Sequence, residues 1–332
     1  MGKFLESEKP KQSEFKETSA YFTKEARFEG VYKGKSRSFC LPIDYAEQNL
    51  VPEIRQSALD HFSKNQIKWH DGKNGKPSNH LCDSQVCCVN FLFPFANKPD
   101  VLTEVLRPFF PDIHRMLPIE NEGYVSFEWI GKDNYLGEKI SRNGKRTRGA
   151  NFTSADAIVM FERKDKKCQV VLIEWKYTES YGGTSLIYSK AGTDRREIYL
   201  HLFEREDCPI DKSLLPNFAS LFYEPFYQFM RQQFLANEME KVHEMGADLV
   251  SLLHIAPVHN VDFQKITSPD LKKLGKSTTN IWKKLVKPEN RFLSVSTEKL
   301  FGNLSPERLP EIKSWIDYIH ARYTWVHDDS TL

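Results

Sequence analysis

Long apolar runs are missing from this chain, and no stretch approaches the ~20 consecutive apolar residues that a membrane-spanning helix needs. The opening residues, MGKFLESEKPKQSEFKE, carry no apolar core of the signal-peptide type. Cysteine is scarce and irregularly spaced, with six in 332 residues, too few for a disulfide framework. Cys82, Cys87 and Cys88 cluster without paired CxxC spacing, so they fit small buried thiols of a reduced, cytoplasmic protein better than a zinc site. Net charge is almost absent: 47 Lys and Arg against 45 Asp and Glu leave +2. Overall charge therefore makes no statement about partners. Gly182-Gly183-Thr184 lacks the GxxxxGK[ST] pattern of a phosphate-cradling loop. No serine or cysteine stands in a recognisable nucleophile context. His70 and His80 lack a third ligand at metal spacing, and His254 and His259 read as structural. Internal repeats and low-complexity tracts are also missing. Asn151-Phe152-Thr153 matches a glycosylation sequon, read as a chance match.

What is present describes a soluble globular protein, 40% hydrophobic and 28% charged, long enough for one large domain or two ordinary ones. The charge is unevenly spread. Residues 139–148 hold five basic side chains (Lys139, Arg142, Lys145, Arg146 and Arg148) and no acid. Residues 264–291, with Lys272, Lys273 and Lys276, hold eight basic residues against Asp270 and Glu289. Such patches suit a phosphate backbone, or are solvated faces balanced elsewhere.

Residues 1–39 are polar and read as a loosely ordered lead-in. A Pro-initiated amphipathic helix is predicted over 52–67, a buried helix over 79–93 with Asn79 as its cap, and a short helix over 100–109 capped by Asp100. A strand over 123–130 follows, then a basic excursion over 133–149. Residues 155–161 (ADAIVMF) and 170–177 (VVLIEWKY) are rich in β-branched and aromatic side chains and flank a polar turn. They read as one hairpin. Folded symmetrically about Asp165, it sets Asp156 opposite Glu174, with Lys176 two residues on and so on the same face. A helix over 225–241 and a buried strand over 247–256 complete a mixed sheet whose last strand arrives through a helical crossover.

This order, with Asp156 and Glu174-Trp175-Lys176 on adjacent strands, resembles the restriction-endonuclease-like PD-(D/E)XK nucleases. His80-Leu81, Ser84-Gln85, Gly149-Ala150-Asn151, Ser154-Ala155-Asp156, Glu174-Trp175-Lys176-Tyr177 and Tyr227-Gln228 with Arg231-Gln232 resemble a bacterial branch of that superfamily. Ala155 stands where the motif's name has proline. The resemblance spans roughly 65–260 and implies an α/β fold: a restriction-endonuclease-like core of αβββαβ order, a mixed central β-sheet flanked by helices, with helical N- and C-terminal additions. The expected division is a lead-in and helix over 1–75, a nuclease-like core over 76–260 and a basic extension over 261–332 packed on it.

Two facing carboxylates need a cation between them. Asp156 and Glu174 are therefore the candidate ligands of Mg²⁺, for which Mn²⁺ can substitute, and the resemblance adds the main-chain carbonyl of Trp175. Lys176 would orient or activate the attacking water, and a desolvated lysine beside a metal has a route to a lowered pKa. Glu128, between Phe127 and Trp129, is a further candidate ligand or catalytic group. Gln228, Arg231 and Gln232 form a polar stripe on an otherwise apolar helix. Of these, Gln228 is assigned to catalysis and Arg231 to DNA, beside Arg142, Lys145, Arg146, Arg148, Lys272, Lys273 and Lys276. Tyr177 and Tyr181 could stack on a base, but fit core positions better. The expected activity is metal-dependent hydrolysis of phosphodiesters in double-stranded DNA, by a cytoplasmic protein without membrane contact. A homodimer would supply two active sites. Two other readings stay open: an inactive nucleic-acid-binding or regulatory protein on the same fold, and an RNA or nucleotide phosphohydrolase.

Overall fold

β-Branched and aromatic residues at consecutive positions build strands that bury both faces, and they dominate the centre of this molecule. The computed structural model describes residues 2–140, 144–150 and 152–327. In chain order the elements are α1 (Lys3–Thr18), a small hairpin of β1 (Gly30–Tyr32) and β2 (Lys35–Arg37), α2 (Arg55–Lys64), α3 (Ser84–Leu92), α4 (Pro99–Leu106), β3 (Ile113–Leu117), β4 (Val125–Trp129), β5 (Ala155–Arg163), β6 (Cys168–Trp175), α5 (Arg196–Phe203), α6 (Phe226–Lys241), β7 (Leu249–Ala256), α7 (Thr278–Leu285), β8 (Phe292–Ser296), α8 (Thr297–Phe301) and α9 (Lys313–Arg322). The fold is α/β. A mixed six-stranded sheet runs β3-β5-β6-β7-β8, with β4 lying beside β3 along the same edge of β5. β5 is antiparallel to β3, β4 and β6, whereas β7 is parallel to β6 and β8 to β7. The parallel step from β6 to β7 is bridged by α6, the crossover such a connection requires.

Each face of the sheet has its own core. Val159, Val171, Ile173 and Ile255 pack with Phe4, Phe91, Tyr318 and Trp325, so the first core gathers residues from both ends of the chain. Ile158, Leu172 and Leu252 pack with Phe229 and Met230 of α6 and Trp282 of α7. The boundaries at residues 75 and 260 run through these cores. Among the described residues no helix is long and apolar enough to cross a membrane, and all six cysteines are free.

Four local details depart from the sequence pattern. Residues 3–18 form a helix, not a loosely ordered lead-in. Its polar residues Glu8, Gln12 and Lys16 recur every four positions and are buried, because Tyr177, Arg322 and the carbonyls of Phe28 and Cys40 supply their hydrogen bonds. α3 is capped by Asp83, whose carboxylate accepts from the Val86 N–H. Asn79 instead donates to the carbonyls of Val31 and Leu41. α4 starts at Pro99, so Asp100 lies inside its first turn rather than at the cap, where its charge complements the helix dipole. Finally, β3 (IHRML) and β8 (FLSVS) extend the sheet at its edges, where mixed polarity gives a five-residue segment little periodic signal.

Candidate active site

The β5–β6 ladder pairs Ala157 with Ile173, Ile158 with Leu172, and so on to Glu162 with Cys168. Every pair is centred on residue 165, so the next step outward sets Asp156 against Glu174. The β4–β5 ladder, with Phe127 on Ala157 and Trp129 on Ala155, places Glu128 beside Asp156. Glu174 is paired with His254 on β7, and His254 with Ser294 on β8. One row across the sheet therefore reads Glu128, Asp156, Glu174, His254, Ser294. Asp156, Glu174 and Lys176 alternate in step with Ile158 and Leu172, on the face that α6 covers.

Each group in this row has defined partners. Glu174 is fully buried. Its Oε1 is ion-paired with the Lys176 ammonium, and its Oε2 accepts from the Gln232 amide. Gln232 also donates to the Ser154 carbonyl at 2.8 Å. Lys176 Nζ donates to Gln228 Oε1 at 2.9 Å. Asp156 Oδ2 accepts from the Trp175 N–H at 2.7 Å. A strand residue's N–H and C=O point to the same side, so the Trp175 carbonyl also faces β5, while its indole lies in the opposite core. Glu128 accepts from Gln85 Nε2 at 2.7 Å and from the Ser154 hydroxyl at 2.9 Å.

The electrostatics follow from burial and crowding. Burial, then the Glu174 charge, raises the Asp156 carboxyl well above its ordinary value, against the pull of Lys176. Burial raises Glu128 as well, opposed by its hydrogen bonds from Gln85 and Ser154. Lys176 moves opposite to the lowered pKa that suits a base. Burial works against its charge, but Glu174, Tyr181, Glu179 and Asp156 outweigh that and hold it well above the usual lysine range. The His254 imidazole is pushed down to about 3 by burial and by Lys176, so it is neutral. It stacks on Phe263 and meets Ser294 at 3.0 Å, as a structural histidine does.

The family model described as restriction endonuclease associating with ARP matches residues 3–324. The chain belongs to that family. No curated protein and no solved structure gives a significant match. The match runs from α1 past α9, beyond both ends of the hairpin and of the sheet.

The basic residues separate into two kinds. Arg142 lies outside the described residues, as does Asn151. Arg146 donates to the carbonyls of Ile130, Gly131 and Lys132 and stacks on Phe152. Arg148 binds Glu120, Ser126 and the carbonyls of Phe127 and Glu128. Arg231 is partly buried, with Nη1 on the Thr153 hydroxyl at 3.1 Å and its guanidinium over the Tyr227 ring. These three arginines are committed to protein partners rather than held out to a phosphate. Lys145, Lys272, Lys273 and Lys276 are exposed. The last two line a depression of about 630 Å³ beside the first turn of α7. Tyr177 is buried, its hydroxyl donating to Glu8 at 2.7 Å. Tyr181 is partly exposed, with its ring edge-on to Phe263.

The polar stripe of α6 already points to Gln232, whereas Gln85 and Ser154 stand out in the sequence only through the resemblance; these three side chains hold Glu174 and Glu128. Among the described residues no group of three or more His, Cys, Asp or Glu side chains stands at metal-ligating spacing. Each carboxylate of the row is turned toward a protein donor.

Proposed function

We propose that this protein is a metal-dependent endonuclease that hydrolyses phosphodiester bonds in DNA. One observation carries the reading: Glu128, Asp156 and Glu174 occupy one row of three adjacent strands, with Lys176 on the same face. Three buried or half-buried carboxylates against a single ammonium form an anionic, oxygen-only donor set, which fits Mg²⁺ or Mn²⁺. Asp156 and Glu174 would hold the ion with the Trp175 carbonyl, and Glu128 would serve the same ion, a second one or a bound water. A metal bound there supplies Lewis acidity toward a phosphate oxygen and lowers the pKa of its water. Lys176, charged and steadied by Gln228, places its ammonium where a phosphate oxygen or attacking water would be oriented. It is an electrostatic group here, not a base. Gln232 fixes the Glu174 carboxylate from α6. The family's description names a restriction endonuclease, which supports DNA as substrate. Exposed Lys272, Lys273 and Lys276 are the proposed grips on the duplex. A homodimer would bring two such sites to opposite strands, and a reduced, cytoplasmic setting agrees with six free cysteines.

The test is plasmid nicking in Mg²⁺ by wild type, Glu174→Ala and Lys176→Ala. Cleavage by wild type alone supports the assignment. Equal nicking by all three, or none by any across substrates and metals, removes it. A second reading, a nucleic-acid-binding protein without activity, is favoured by the lack of three ready-placed ligands among the described residues. DNA binding without Mn²⁺ binding in calorimetry would select it.

A further inference from the structure

Glu128 sits inside β4 with φ +50, a left-handed backbone that is costly for an L-residue. The cost has a visible consequence. In a regular strand Phe127 and Trp129 would share a face, yet Phe127 packs in the core with α3 and Trp129 in the core with α6. The chain turns over at Glu128, and the Glu128 carboxylate lands between Gln85 on one side and Ser154 on the other.

One side chain embraces that turnover. Arg148 Nε donates to the carbonyls of Phe127 at 3.0 Å and Glu128 at 3.2 Å, and Nη2 donates to Phe127 as well. Nη2 also reaches the Ser126 hydroxyl at 2.8 Å. Nη1 is anchored by both oxygens of Glu120, at 2.8 and 3.0 Å. The guanidinium plane lies over the Trp129 ring, 5.1 Å from its centroid. Four consecutive residues, 126 to 129, are thus gripped by a single fork, which a point charge such as lysine cannot reproduce. The loop carrying Arg148 is itself fixed. Gly149 has φ +69, and a Cβ there would stand 2.3 Å from the Lys68 carbonyl oxygen. The Lys68 N–H donates to the Arg148 carbonyl at 3.0 Å, and the Lys68 carbonyl accepts from Gln85 Nε2 at 3.2 Å. The loop of Arg148 and the amide that holds Glu128 therefore rest on one backbone residue.

We propose that Arg148, anchored by Glu120, is a positioning residue of the candidate active site: it holds the Glu128 backbone in its left-handed conformation and so keeps the Glu128 carboxylate in the row with Asp156 and Glu174. The proposal rests on the reading of that row as a metal site. It replaces the phosphate contact that a basic loop implies with a role inside the protein.

The test is Mn²⁺ binding by calorimetry on wild type, Glu128→Gln, Arg148→Lys and the double variant, each checked for folding by its thermal melt. Loss of a group that orients a ligand costs about 10–100-fold in metal affinity. Glu128→Gln and Arg148→Lys should each weaken Mn²⁺ by roughly 10-fold or more, and the double variant should bind no more weakly than Glu128→Gln. A merely structural arginine would give effects that multiply, and that result overturns the proposal. So does unchanged affinity in either single variant, or an Arg148→Lys that changes only the salt slope of DNA binding. If Arg148→Lys does not fold, Glu120→Gln releases the same anchor and is read in its place. Wild type that binds no Mn²⁺ removes the metal site and this proposal together. Wild type and Glu128→Gln that differ, with Arg148→Lys like wild type, removes the positioning role alone.

Discussion

Replacing Asp156 by asparagine should separate what the fold wants from what the site wants. Asp156 and Glu174 face each other on β5 and β6, on the face covered by α6. At an effective dielectric near 20, two unit charges ~6 Å apart repel by about 3 kcal/mol. The Lys176 ammonium, paired with Glu174, offsets part of this, so relief of about 1–2 kcal/mol at neutral pH is expected from Asp156→Asn. Asparagine keeps a carbonyl oxygen to accept the Trp175 N–H, so that hydrogen bond survives. The pH dependence has a definite sign. Burial and Glu174 raise the Asp156 carboxyl well above its ordinary 3.8, so the folded protein holds this proton more tightly than the unfolded chain. The penalty is absent below 3.8 and grows as pH rises through the folded value. Thermal melts at about pH 4 and pH 8 should therefore show the variant gaining on wild type as pH rises, with a Tm advantage of roughly 1.5–3 °C at the upper end. Mn²⁺ should reverse the order: an ion present at 100 times its Kd stabilises the binding form by about 2.7 kcal/mol, and the variant lacks one of the two proposed carboxylate ligands. A variant that melts below wild type at both pH values, or an equal gain from Mn²⁺ in both proteins, refutes the reasoning.

The double variant Lys273→Ala/Lys276→Ala, on the exposed rim beside α7, should reduce the slope of log K against log salt for DNA binding by roughly one for each phosphate no longer neutralised; an unchanged slope takes this surface out of the interface. Arg322→Ala should cost about 3–5 kcal/mol in urea denaturation, because the Asn49 and Leu81 carbonyls and the side chains of Gln12 and Tyr318 lose their common buried partner. A loss under about 1 kcal/mol would show that those groups find other donors.

Local pattern was enough for the hairpin. A period of two, a polar turn and β-branched flanks set the register of 155–163 against 168–175, and register alone brings Asp156, Glu174 and Lys176 onto one face. The 3.6-residue period did the same for α6, which carries Gln228 and Gln232. Both are repeats of the chain's own geometry and need no knowledge of what lies across the fold. The partner of a polar side chain is not a repeat of anything local. Glu8 and Gln12 look like a solvated face until Tyr177 and Arg322, distant in sequence, are packed against them. Arg146 and Arg148 look like phosphate grips, because a guanidinium serves a backbone carbonyl as readily as a phosphate, and only the tertiary structure puts the carbonyls of Phe127, Glu128 and Ile130 within reach. The left-handed turn at Glu128 and the raised pKa of Lys176 belong to the same class. The sequence by itself determined which residues share a face on the hairpin and on α6, since that follows from backbone periodicity. The tertiary structure decided which charges are paired, buried or exposed, since those depend on groups that the chain brings together only when folded.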